Sequence, residues 1–569
     1  MFLPARIVRL LGFFPYAALF FIILYLVAAP IGLLALASFK GTSSALPLEP
    51  SPFTVSNYQR AYFEAGSGDV LLNTLAVGFF SVAISLTLAA GMAWITQRTN
   101  APLRGLIQLS MLLPIGIPGM LLAIAWVLLF NPQNGAVNVF LRDLLNWEGP
   151  GPINIYTLAG ICVLQGVSMV PSCYLMMSGA FRQMDPALEE AALASGASWR
   201  QIVSQITLPL LLPIIVATGI YFFVFAIEAF EIPGVIGVSA GIGVLSSRIY
   251  WASHPAGALP DYGYIAALAT PLVVASIALM QVYGRLTRSS ENFVTITGRG
   301  FQPRLIDLGR FRWIPTLFAA LYLSATIVLP LAVLFWGSLF TYWVNPSLDA
   351  LSRMSLAAYR TTFNYPGVVS ALSNTAIVVL VSATATMLLA SLLSWTVIRT
   401  KLRGRRLLDT LAFLPNSIPG IVIGLALIFV YLTLPIGIYG TVWIIVIACI
   451  TRFLAYASRT MNAAQLQISK DLEEAAMVSG ASFQRLFVSI VLPLLAVSFR
   501  DGWIWVAMHA ARELSASVML YGPSSVVLST IIWSMWQNGR LAETCVLGVL
   551  LVLGSMALGV LGNRLGRKY

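Results

Sequence analysis

Two short runs set carboxylates beside small residues at the same spacing, 284 positions apart. The first is Glu189-Glu190-Ala191-Ala192 followed by Gly196; the second is Glu473-Glu474-Ala475-Ala476 followed by Gly480. Beyond each glycine the pattern continues to Ile206, Leu208 and Pro209, or to Ile490, Leu492 and Pro493. A carboxylate, two alanines and a glycine make no nucleophile–base pair. They supply a polar contact, a surface that permits close approach, and a residue that turns the chain at low steric cost. That is the chemistry of docking rather than of bond making.

A second set of ionisable groups lies inside apolar sequence. Glu228 and Glu231 sit in VFAIEAFEIPGVIG, and Arg512 and Glu513 in MHAARELSASVML. At the 284-residue offset Glu228 corresponds to Arg512, so the two belong at equivalent depths. Charges within a span usually face an interior or pair with one another. The reading is that they line or latch an external gate, with Glu228 and Arg512 as a candidate pair; a fixed structural ion pair, or snorkelling at a helix end, is the alternative. Prolines also recur at matched places: Pro114 and Pro118 in LPIGIPG, and Pro415 and Pro419 in LPNSIPG. Proline frees backbone carbonyls, which membranes tolerate where backbone meets protein or a water-filled cavity. These four belong to the translocation pathway or else to packing kinks. His254 and His509 are too dispersed to build a metal site, and Cys162, Cys173, Cys449 and Cys545 lack metal-ligand spacing, so no metal is expected.

The elements that position these groups follow from composition. The 569 residues are 59% hydrophobic and 9% charged, against about 25% charged in soluble domains. Twelve apolar spans of about 20 residues or more can be read, six in each half of the chain. Those near 207–231 and 494–520 are interrupted by Pro, Glu and Arg. The first, near 13–38, is too long for a signal-peptide core and is read as an uncleaved helix. The net charge of +12 is distributed by side: about 23 of the 33 Lys and Arg fall on one face and about 7 on the other. The positive-inside rule then places both termini in the cytoplasm, and the basic charge reports orientation rather than nucleic-acid binding.

The duplication covers whole halves. At an offset of 301, Trp94 matches Trp395, Arg98-Thr99 matches Arg399-Thr400, and Ile117-Pro118-Gly119 matches Ile418-Pro419-Gly420. Basic loops at corresponding places put the repeats parallel, about an axis along the membrane normal. The expected organisation is a first half over 1–285, a cytoplasmic linker over 286–312 and a second half over 313–569. The expected fold is all-α and integral to the membrane, with about twelve helices. In both copies the Glu-Ala-Ala segment falls between the fourth and fifth spans on the cytoplasmic side. Asp185 and Pro186, or Ser469, would open a short helix, and Ser198-Trp-Arg-Gln201 reads as a capping box for the next.

These residues resemble the cytoplasmic "EAA" motif of permease subunits of binding-protein-dependent ABC importers. The fused arrangement is similar to permeases of the iron(III) and thiamine type. The resemblance implies coupling helices that dock on two copies of an ABC ATPase. Glu190 and Glu474 would make polar contacts, Ala191, Ala192, Ala475 and Ala476 would pack closely, and Gly196 and Gly480 would set the turn. It also implies an external solute-binding protein and residence in the bacterial inner membrane, within lipid. ATP and Mg would belong to the partner subunits: Lys40, Lys401, Lys470 and Lys568 are the only lysines, and none stands between Gly and Ser or Thr as a phosphate-cradling loop requires. Iron(III) is the first expectation for cargo, with thiamine, polyamine and phosphonate open. A secondary transporter is the alternative of another class. It would have no use for two docking segments.

Overall fold

The computed structural model describes residues 16–41, 49–184, 187–255, 257, 259–290, 305–434, 436–480 and 482–566. Asp185, Pro186 and most of the basic linker lie outside them. Among the described residues the regular structure is helical, and β contact is limited to the isolated bridges Lys40↔Phe53 and Thr99↔Ile306. Among the described residues nine helices are long and apolar enough to cross a membrane, and up to thirteen spans result if each of four bent pairs counts as one. The expected count of about twelve falls in that range.

The bends are sharper than the kinks expected from proline. Arg104–Gly116 and Gly119–Phe130 meet at 101°, and Arg405–Ser417 and Gly420–Thr433 at 115°. In each, the first proline starts a 3-10 turn, Leu113–Gly116 or Leu414–Ser417. The next isoleucine, Ile117 or Ile418, is extended because the proline after it disfavours the helical region. Pro118 and Pro419 then stand at the N-caps of new helices. Those helices are apolar all round, and from Met120 to Leu129 and Gly420 to Tyr431 nearly every residue is buried.

Four other prolines are each preceded by a widened turn. Five-residue π-turns at Leu24–Ala28, Val203–Thr207, Ser324–Val328 and Phe487–Val491 each end two residues before a proline: Pro30, Pro209, Pro330 and Pro493. The proline ring clashes with the carbonyl four residues back, and a wider turn relieves the clash. Arg200–Glu228 stays one continuous helix, whereas its counterpart, with the same π-turn and proline, bends by 72° between Phe487–Leu494 and Ala496–Ala511. The first half also differs from expectation after Glu228. Glu231 does not close the fifth span; it opens another bent pair, Glu231–Ala240 and Leu245–Ser253.

The chain forms two compact units. One comprises Met1–Glu64, Ile249–Val273 and Ala358–Tyr569; the other comprises Ala65–Arg248 and Val274–Ala357. In the first unit, Ala29–Ser38 packs on the enclosed helix Gly420–Thr433, Tyr25 meets Tyr431 edge-on, and Thr451 donates to the Leu26 carbonyl. In the second, Leu329–Ser338 packs on Gly119–Phe130, and Trp126 donates to the Ala325 carbonyl at 3.0 Å. The sequence repeats and the compact units are thus different divisions of the chain. Each unit takes its first apolar helix from the other repeat.

Candidate coupling surface and membrane-depth charges

The duplicated segments fold as short helices, Ala187–Ala194 and Lys470–Val478. Asp471 N–H donates to Ser469 Oγ at 3.3 Å at the start of the second. The first ends in paired backbone bonds, Ala197 N–H to the Ala192 carbonyl and Gly196 N–H to the Leu193 carbonyl, both 3.0 Å. This six-to-one and five-to-two pattern needs a left-handed residue at its turn. Gly196 and Gly480 supply it at φ +85° and +83°. A Cβ at either would meet nothing within 4 Å, so backbone conformation, not space, selects glycine here. After the turn, Ser198 N–H donates to Gln201 Oε1 at 2.9 Å, one half of the expected capping box.

Of the two adjacent glutamates in each copy, only the second faces outward. Glu190, Ala191, Glu474, Ala475 and both glycines are exposed; Ala192 is half-buried and Ala476 buried. Around them Leu188, Leu193, Leu472 and Val478 are exposed large apolar groups, with Val478 at 90%. The sequence reading missed these four. A carboxylate ringed by open leucine and valine side chains on a polar segment is a surface suited to a protein partner.

The first glutamate of each pair is buried and held. Glu189 Oε1 accepts from Thr207 Oγ1 at 2.6 Å, and Arg98 Nη1 stands 3.8 Å from its Oε2. Arg98 Nη2 also donates to the Met184 carbonyl at 2.8 Å. Glu473 Oε1 accepts from Arg399 Nε at 2.8 Å and Gln465 Nε2 at 3.0 Å, while Oε2 accepts from Trp395 Nε1 at 3.0 Å. Arg399 Nη2 reaches the carbonyls of Gln465 and Ile468. A buried carboxylate is costly unless it is paired and hydrogen-bonded, and both are. Sequence reasoning passed over Glu189, Glu473, Arg98 and Arg399, although the Arg-Thr repeat was itself a signal.

The membrane-depth groups do different work in the two units. Glu231 Oε2 accepts from Met120 N–H at 3.0 Å, capping the enclosed helix that follows Pro118. A Cβ on Gly119 would lie 2.6 Å from that oxygen, so any larger residue would have to displace the capping carboxylate. In the other unit the same place beside Gly420 is taken by Arg452, ion-paired to Glu513. Glu513 Oε1 also accepts from Ala516 N–H at 2.9 Å. Arg452 was not among the expected pathway residues. Arg512 Nη2 lies 2.8 Å from His509 Nε2, and His509 Nδ1 lies 2.8 Å from the Trp505 carbonyl. Since guanidinium only donates, Nε2 must accept and Nδ1 carries the proton. Glu228, half-buried, ends the helix Leu208–Glu228. Pro114 and Pro415 are buried in their 3-10 turns, and Pro118 and Pro419 form the corners of the bends.

Two repeats of apolar helices, each with a short polar helix carrying exposed Glu-Ala residues and an enclosed re-bent span, define a polytopic membrane protein of the permease type. The chain belongs to the family described as binding-protein-dependent transport system inner membrane component, whose model matches residues 81–291 and again 387–568. It is thus a fused, two-copy member of an ABC importer permease family of the bacterial inner membrane. The ferric transport system permease protein FbpB of Actinobacillus pleuropneumoniae is 25% identical over 499 residues, covering 86% of this chain and 70% of that protein. A Fe(3+)-transport system permease protein FbpB 2 of Haemophilus influenzae is 21% identical over 497 residues, covering 87% and 89%. A Salmonella paratyphi A permease named for 2-aminoethylphosphonate transport is 29% identical over 165 residues, covering 28% of this chain and 62% of that protein. Among solved structures, a bacterial alginate ABC transporter chain aligns at TM-score 0.36 and 17% identity, over 45% of this chain and 93% of that one.

Proposed function

We propose that this protein is the membrane permease of an ATP-driven importer of iron(III), delivered by an external solute-binding protein. The observation that carries the energy source is the pair of exposed Glu-Ala faces, Glu190/Ala191 and Glu474/Ala475, each on a short helix that runs into a left-handed glycine turn. Two such faces call for two copies of an ATPase, which bind ATP and Mg, and ATP hydrolysis then resides on those partners. The faces lie on the cytoplasmic side, as do both termini. ATP-driven closure of the partners would move the short helices and switch access between outward and inward states. Iron(III) is supported by relatives named for ferric transport that match along most of the chain.

Purification from the native membrane tests the energy source: an ATPase subunit should co-purify, and Gly196→Ala or Gly480→Ala should lower transport. Recovery of active transport without any ATPase would establish the secondary transporter instead. Uptake of radioactive iron(III) into cells with and without this chain tests the cargo. A phosphonate is the second reading, because permeases named for 2-aminoethylphosphonate match part of the chain; iron uptake that is unchanged on deletion would favour it.

The pathway reading is narrower. Glu228 and Arg512 are taken as gate residues at the external end of the fifth spans. Charge reversal of each should reduce transport, and the double reversal should restore it if they pair. Failure of the double reversal would assign both to fixed structural contacts.

A further inference from the structure

We propose that Glu189 and Glu473, with Arg98 and Arg399, are positioning residues that carry movement of the short docking helices into the membrane, and that the two repeats route it into different spans. The inference rests on the function proposed above. Each carboxylate is buried, at 6% and 4% exposure, and each is tied to the cytoplasmic end of a 32-residue second span, Ser67–Arg98 or Val368–Arg399. Pulling either carboxylate out of its site would strand an arginine, so the docking helix and the end of that span move as one body.

The remaining partner differs. In the first repeat it is the Thr207 hydroxyl, which belongs to Arg200–Glu228, the fifth span. The corresponding residue of the second repeat is Val491, which has no donor. In the second repeat the partner is Gln465 Nε2, on Val442–Gln467, the fourth span. Its counterpart in the first repeat is Phe181, again without a donor. Each arginine also reaches the carbonyl just beyond the fourth span, Met184 or Ile468, so the repeats differ in the direct partner of the carboxylate: the fifth span in the first repeat and the fourth span in the second. Glu228 lies at the far end of the first route. The second route runs along the span that carries Arg452, the partner of Glu513.

The test is hydrogen–deuterium exchange of the whole transporter, purified with its ATPase, in ATP against ADP. Two near-isosteric variants, Gln465→Met and Thr207→Val, each remove one wire. In the wild type, peptides from 470–478 and 442–467 should change together with nucleotide, as should those from 187–194 and 200–228. In Gln465→Met, 470–478 should keep its response while that of 442–467 falls at least about threefold. Thr207→Val should do the same to 200–228 and leave 442–467 untouched, a selectivity that a merely structural role would not produce. Should Gln465→Met fail to assemble, Gln465→Asn keeps the amide and shortens its reach, with the same readout. Wild-type responses in both spans, or loss of both in either variant, would overturn the inference alone. A wild-type preparation that holds no ATPase would overturn the proposed function and the inference together.

Discussion

At the residue scale, adjacent glutamates with the same composition have opposite fates, and a helix of eight or nine residues decides which. The Glu-Ala-Ala pattern drew attention to Glu190 and Glu474, which are exposed, while Glu189 and Glu473 turn inward to arginine. The pattern is legible from sequence; the inward face is not, because a short helix between two turns offers too few apolar positions to set a phase. Glu231 was legible as a buried charge but not as a cap, since the N–H it satisfies belongs to Met120, 111 positions away. Glu231→Ala should lower thermal stability by about 1–3 kcal/mol, the cost of a buried donor left unsatisfied, while Glu231→Gln keeps an acceptor and should lose less. Gly196→Ala forces a left-handed residue at about 1–2 kcal/mol, and Gly196→Asn should be milder because asparagine tolerates that region. Nucleotide-dependent transport, compared with expression level, checks the pair.

Among elements, hydropathy located the spans well and their bends poorly. A window of about 20 residues sums the same apolar content whether the chain runs straight or turns through 101°, so only the Ile-Pro-Gly spacing hinted at a corner. The linker adds an element that polar composition did not announce. Ile306 N–H donates to the Arg98 carbonyl at 2.9 Å, and Asn100 N–H to the Ile306 carbonyl at 3.0 Å, so the linker's end lies along the residue that holds Glu189. Asp307 fastens it: Gly309 N–H and Asn100 Nδ2 donate to the carboxylate and hold its pKa below the usual carboxylate range. A depressed folded-state pKa contributes stability above the unfolded value and loses it as pH falls through the folded one. The Ile306 amide should therefore exchange faster below about pH 4 than at neutral pH, after correction for intrinsic rates. Asp307→Asn should abolish that pH dependence.

For the whole molecule, the repeat was written in matched residues, whereas the exchange of first helices was not. Tyr16–Ser38, and Gly309–Ser338 beyond Arg310 and Arg312, are apolar, and nothing in such a pattern says which enclosed helix each will cover. The enclosed helix Gly119–Phe130 needs Leu329–Ser338 from the other repeat against it. Residues 1–285 expressed alone should consequently aggregate or self-associate, and co-expression of 1–290 with 305–569 should restore a single species. Size-exclusion chromatography of each preparation, followed by uptake for the co-expressed pair, checks both outcomes.

That exchange also sets a schedule for biogenesis. The helix ending at Ser38 leaves the ribosome roughly 400 residues before Gly420–Thr433, the helix it covers, and at about 5–20 residues per second the interval is about 20–80 s. Through that interval this helix waits in the bilayer without its mate. An insertase or membrane chaperone able to hold it, and a quality-control protease able to remove it, would compete over every nascent copy. Fusion of the two repeats into one polypeptide bounds that wait by the speed of translation, where separate subunits would leave it to chance encounter.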